Sequence, residues 1–309
     1  TRGVSMLLLL VVASTAAISP GCKPRQGGSS RTRPLVIASF YPLYDFARAV
    51  GGTNFEVVCL VPPGADPHAR EATPAEAKTV SQASTVLLLG FGLDGALEKL
   101  AASTKTRRVV LSEGIATRKL GRPALSGFAA ETGDPNETDP HIWLDPVIAE
   151  QVVARIAAEL AQLAPQRAAE IESRAGLYRA ELQKLHEEFS AATAALPHRR
   201  VVTFHGAFGY LFARYGLETA GVIEMFPGDE PSAAYLRGLV DLMRSLGIKV
   251  IFAEPQLPDQ PAQIIAREIG GSVERLDPCE TILPDAPQAT YVQRQRRNLA
   301  TLRRALGGN

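Results

Sequence analysis

The chain is short of nearly every residue type that would announce a function by itself. Three cysteines, one tryptophan and five histidines occur in 309 residues. So few cysteines leave no paired-cysteine zinc knuckle. Neither sign of charge is in excess: 33 basic residues against 32 acidic ones give a formal net charge of +1. That balance argues against nucleic acid or another polyanion as partner. No low-complexity run and no tandem repeat is present, nor is a helix-borne His-Glu-x-x-His, a Gly-rich phosphate loop or a Ser nucleophile elbow. The glycines of "GFGLDG" (90–95) miss the dinucleotide-binding spacing.

What is there begins with "MLLLLVVASTAAIS" (6–19), an apolar and small-residue run behind Arg2. It falls short of the about 20 residues a membrane-spanning helix needs and suits a secretory signal h-region. No second apolar segment of membrane length follows. "SPGC" then sets small residues before Cys22, as at a bacterial lipoprotein cleavage site, which predicts lipid on that cysteine. Lys23 to Arg33 carries four basic residues and no acidic one, fitting a flexible tether near an anionic surface. The expectation is a signal peptide over 1–21, a tether over 22–34, and an extracytoplasmic protein anchored at Cys22. Export permits a disulfide between Cys59 and Cys279, but two buried small hydrophobes is the simpler reading.

Hydrophobic content of 46% and charged content of 21% fit a soluble globular protein, long enough for two domains. Short β-branched runs recur: "PLVIASF", "FEVVCLVP", "TVLLLG" and "RRVVLSE", then far downstream "RRVVTFH", "ETAGVIEM", "IKVIFAEP" and "GSVERLDP". Helical patterns separate them, which predicts βαβ units and mostly parallel sheets. Between the two groups, "PVIAEQVVARIAAELAQLA" (146–164) has helical spacing, with Asp145 as N-cap and Pro146 at the first helical position. A second, charged helix runs from Pro165 toward residue 196 and reads as a stiff spine. The fold expected is therefore α/β: a lobe over 35–163, a bridging helix over 164–197 and a second lobe over 198–309. Each lobe carries a mostly parallel four-stranded sheet, with the ligand cleft between them.

Ligands of open α/β sheets bind beyond the carboxyl ends of the strands. His68 lies after the second strand, in "PPGADPHARE", and His205 closes "VVTFH". Asp277 closes "VERLDP", and His141 stands in "ETDPHIWLDP" beside Trp143. Singly, each is an ordinary loop residue. Together, three imidazoles and a carboxylate make a sensible shell for a borderline divalent cation, above all zinc. His186 and His198 read as surface residues. Asp139 and Asp145 are both candidates to accept the second ring N–H of His141. Glu224 and Glu254, at strand ends, are the bases a zinc hydrolase would use.

The segments "GADPHAREATPAEAKTVSQASTVLLLGFGLDGALEKL", "TDPHIWLDP", "TFHGAFGYLFARYGL" and "LDP…ATYVQRQRRNLATLRRAL" resemble the extracytoplasmic solute-binding proteins of ABC importers for zinc and manganese. The resemblance runs over nearly the whole chain in order. It implies two α/β lobes bridged by a rigid helix, one metal ion carried as cargo, a membrane permease as partner, and no catalysis. Carried over by motif, the ligands fall on His68, His141, His205 and Asp277, in a monomer. Manganese-preferring members tend to have a carboxylate at the third position, where this chain has His205, which points to zinc. The histidine-rich loop of many zinc-specific members is missing between the first two ligands, so manganese or iron(II) stays as the alternative.

Overall fold

The computed structural model describes residues 33–68, 70–120, 137–225, 227–228 and 231–308, with residues 1 and 3; the leader, Cys22 and the tether up to residue 32 lie outside them. The eight β-branched runs each contain one short strand. In the first half these are β1 (Leu35–Ala38), β2 (Glu56–Cys59), β3 (Thr85–Leu88) and β4 (Arg107–Val110). In the second they are β5 (Arg200–Thr203), β6 (Glu218–Val222), β7 (Val250–Ala253) and β8 (Ser272–Arg275). The orders are β2-β1-β3-β4 and β6-β5-β7-β8, with every pairing parallel. The two sheets thus repeat one topology.

Alternate strand residues face opposite ways, and each sheet buries both faces. Val36, Ala38 and Leu87 of the first sheet share a core with Val201 and Phe252 of the second. Leu35, Ile37 and Val86 pack outward under α2 (Pro74–Ser81) and α3 (Gly95–Ala102). Val202 and Ile251 do the same under α7 (Ala233–Leu246) and α8 (Gln260–Ile269).

The remaining helices line the shared core. They are α1 (Tyr41–Gly51), α4 (Pro146–Leu163), α5 (Ala168–Ala194), α6 (Gly209–Tyr215) and α9 (Tyr291–Leu306). Asp145 caps α4 as expected, its Oδ1 accepting the Val147 N–H at 2.9 Å. The spine predicted from Pro165 opens with a 3-10 turn, Pro165–Arg167, and becomes regular α5 at Ala168. Its first amides lack a carbonyl one α-turn back, so the chain tightens there. The 27 residues of α5 span about 40 Å at 1.5 Å per residue. Ile171, Ala175, Leu182, Leu185 and Phe189, spaced three, four or seven positions apart, form its buried stripe. That stripe packs on α1 and α4 of the first half and on α6 and α9 of the second.

A strap over 277–290 leaves β8 and crosses to the first half. Trp143 Nε1 donates to the Pro278 carbonyl at 2.7 Å, the Gly64 amide donates to Ile282 at 3.0 Å, and Tyr41 donates to Ala289 at 2.5 Å. Cys59 and Cys279 are free thiols rather than a disulfide, Cys59 partly and Cys279 wholly buried. Cys279 sits within this strap, its backbone in the left-handed region at φ 57°. No helix among the described residues is long and apolar enough to cross a membrane.

Candidate metal centre

His141 and His205 each arrive with a carboxylate on Nδ1 that aims the ring, whereas His68 is held through its backbone. The loop after β2 carries His68, whose backbone amide donates to Asp66 Oδ1 at 2.8 Å, closing a tight turn. His141 precedes the 3-10 turn Ile142–Leu144 that leads into α4. Asp139 Oδ1 holds it twice, accepting from the backbone N–H at 3.0 Å and lying 2.8 Å from Nδ1. Asp139, not Asp145, is therefore the orienting carboxylate; Asp145 is occupied by its cap and by Arg214, 2.8 Å away. The start of α6 presses on Asp139, where a Cβ on Gly209 would lie 2.5 Å from Oδ2. Only glycine fits so close an approach.

His205 follows β5 and Glu254 follows β7, adjacent strands at the point where the order of the second sheet reverses. Glu254 Oε1 lies 2.5 Å from His205 Nδ1 and accepts the His205 backbone N–H at 3.3 Å. With Nδ1 of His141 and of His205 turned to carboxylates, each presents Nε2 inward, as metal-ligating histidines commonly do. Glu254 was expected as a hydrolytic base if anything; its inner oxygen is committed to His205. Glu224 is committed elsewhere, one oxygen accepting from the Gly228 amide at 3.0 Å.

The Nε2 atoms of His68, His141 and His205 stand 3.4, 3.2 and 3.6 Å from one oxygen, Glu280 Oε1. His141 and His205 are 3.4 Å apart at Nε2. One ligand atom from each of His68, His141, His205 and Glu280 falls within 4.8 Å of the others. A tetrahedral ion with bonds near 2.0 Å separates its ligands by ~3.3 Å, so most of these spacings already match. The imidazoles of His141 and His205 and the Glu280 carboxylate are about 99% buried. His68 is the open edge, lining a cavity of about 460 Å³ with Ser39, Arg70 and Lys99.

Asp277, expected as the fourth donor, is not among these four groups. Its two oxygens each lie 2.6 Å from the buried guanidinium of Arg294, and Oδ1 also accepts the Cys279 N–H at 2.8 Å. Glu280, three residues further along the same strap, is the carboxylate that lies among the three imidazoles. His186 donates to or accepts from Tyr215, 3.1 Å away, and His198 is exposed; neither joins the cluster.

Electrostatically the four groups hold one another. Burial opposes charge on His205, but Glu254 and Glu280 outweigh it and lift its pKa well above the ordinary value. Burial likewise opposes charge on His141, and Asp139 and Glu280 raise it. Burial would raise Glu280, yet the three imidazoles hold it well below the usual carboxylate range. An anionic oxygen ringed by three imidazole nitrogens has the character of a cation site.

Two parallel α/β halves on a long helix, bringing three nitrogens and one oxygen toward a common point, define a two-lobe protein with a side-chain cluster that could hold a metal ion. The chain belongs to the family described as zinc-uptake complex component A, periplasmic, which it matches over residues 36–305. The zinc-binding protein AdcA of Streptococcus pyogenes serotype M1 is 28% identical over 283 residues, 87% of this chain and 55% of that protein. The zinc-binding lipoprotein AdcA of Streptococcus pneumoniae strain R6 is 26% identical over 305 residues, 96% of this chain and 60% of that protein. This chain therefore spans little more than half the length of these relatives. Among solved structures, a ZnuA crystal structure superposes with a TM-score of 0.76 at 29% identity, covering 88% of this chain and 99% of that one.

Proposed function

We propose that this chain binds one divalent transition-metal ion, zinc, outside the cytoplasmic membrane and hands it to the permease of an ABC importer. The observation that carries this reading is the ring of His68, His141 and His205 Nε2 atoms around Glu280 Oε1, at 3.4, 3.2 and 3.6 Å. Three neutral imidazoles and one carboxylate leave the complex at net charge +1 and fill a tetrahedral zinc shell. No position is left for an activated water, and Glu254 is held by His205, so the site is a carrier's and not a hydrolase's. Manganese(II) and iron(II), which favour more oxygen ligands, are the weaker cargoes.

The ligands are His68, His141, His205 and Glu280, and Asp277 acts through Arg294 instead. Residues 35–163 and 198–309 serve as lobes on the bridging segment 164–197. The protein works as a monomer tethered through lipid on Cys22, and the lipoprotein name of the pneumococcal relative supports the lipid tether. Metal analysis of the purified protein, with zinc competed against manganese, tests the proposal. One zinc per chain, displaced by manganese only at large excess, is the expected result. A chain that retains no transition metal and takes up none would overturn it.

A further inference from the structure

Glu254 and Glu280 each show one oxygen to histidine and turn the other away, and a single side chain holds both averted oxygens. Gln256 Nε2 donates to Glu254 Oε2 at 2.9 Å and to Glu280 Oε2 at 3.3 Å. The amide cannot be turned over, because its carbonyl would then face two carboxylate oxygens. Among the described residues its own Oε1 is buried without a partner, so the hydrogen bonds that orient the amide are these two donated ones. The turn that presents it is braced by Arg275, which donates to the Glu254 carbonyl at 2.7 Å and to Asp259 at 2.5 Å.

We propose that Gln256 is a specificity-determining residue for the bound cation: by occupying Glu280 Oε2, it limits that carboxylate to one bond to the ion. The proposal rests on the cation-binding reading above. A carboxylate restricted to Oε1 keeps the shell at four donors, the number zinc takes with nitrogen-rich ligands. Manganese(II) takes more ligands, with oxygen preferred, and a carboxylate free to bind through both oxygens would supply one more. Gln256 also ties Glu280 to the Glu254–His205 pair, so the fourth donor and the histidine facing it are set by one amide. It touches no ion itself; it acts by positioning.

Gln256→Met keeps the length and removes the donor. Zinc–manganese competition on the wild type and this variant should show the zinc preference falling by about tenfold or more, within the range typical of losing an outer-shell partner. Cobalt(II) provides an independent readout: its visible bands should weaken in the variant as the coordination number rises above four. Gln256→Ala carries the same two measurements should the Met variant fold poorly. An unchanged preference together with an unchanged cobalt spectrum would overturn the proposal and leave Gln256 as part of the turn. A wild-type chain that binds neither zinc nor cobalt would sink the cation-binding reading itself, and this proposal with it.

Discussion

Thr281 Oγ1 donates to the Pro62 carbonyl across 3.1 Å, joining the residue after Glu280 to the loop that carries His68. With the Trp143–Pro278 and Gly64–Ile282 bonds on either side, it fastens Glu280 to the first half of the chain, although the strap emerges from the second sheet. Three of the proposed donors thus share one foundation. His205, with Glu254 behind it, is the single proposed donor that belongs to the other half.

His205→Ala should therefore weaken zinc binding beyond about 100-fold, past the range for losing an outer-shell partner, while His68, His141 and Glu280 keep a residual weak site. His186→Ala, which loses only the contact with Tyr215, should bind like the wild type. Competition against a chelator of known affinity measures both, and equal losses in the two variants would contradict the site.

Glu280→Gln and Asp277→Asn should separate affinity from stability. The first removes the anionic donor and should lower zinc affinity with little loss of fold. The second leaves the buried Arg294 guanidinium without its ion-pair partner, a change that costs about 3–5 kcal/mol when a buried pair is broken. Thermal melts of the metal-free variants, set beside zinc titrations, would expose a reversed pattern.

The pH dependence has a definite sign. Zinc must displace protons from His141 and His205, whose pKa values lie above the ordinary one. Affinity should already be declining as pH falls toward about 6.5, the unperturbed histidine value. In the metal-free protein, a raised histidine pKa lends stability that is complete below about 6.5 and lost as pH climbs through the folded value. Glu280, held low, stays charged across that window and adds no slope. The rise in Tm produced by zinc should hence widen from mildly acidic to mildly alkaline pH. Paired melts with and without zinc test this, and an increment that shrinks with rising pH would refute it.

Trp143 is buried, with its ring 5.2 Å from that of His141 between centroids. As the chain's one tryptophan, it should report zinc by a change in fluorescence that ends at one ion per chain. Trp143→Phe should abolish the signal and leave binding detectable by calorimetry. A titration that runs on to a second equivalent would point to another site.

Most of the architecture was legible because β-branched runs at regular intervals leave few alternatives to parallel strands, and because histidine is rare enough here for its positions to stand out. The carboxylate that lies among the three imidazoles was not. Asp277 closes the strand and looks aimed at the cleft, but Arg294, 17 residues on, claims it from α9. A buried arginine in an amphipathic helix is the signal that a nearby carboxylate is already spoken for. Asp145 carried its own clue: a residue that caps a helix has spent the oxygen that would steer His141. Glu254 could be placed at a strand end, but its bond to His205 depends on β5 and β7 being neighbours, a relation across 49 residues that local pattern does not reveal.

The placement of Cys279 has a bearing on the kind of donor the proposed centre offers. It stands next to Glu280 in the chain, yet its Sγ is directed to the Asp277 carbonyl, and burial holds the thiol protonated far above its ordinary range. Sulfur is thereby kept one residue away from the shell and without the anionic charge that thiophilic ions seek. At the proposed centre a soft, thiophilic ion would meet three imidazole nitrogens and one carboxylate oxygen in place of the thiolate it prefers.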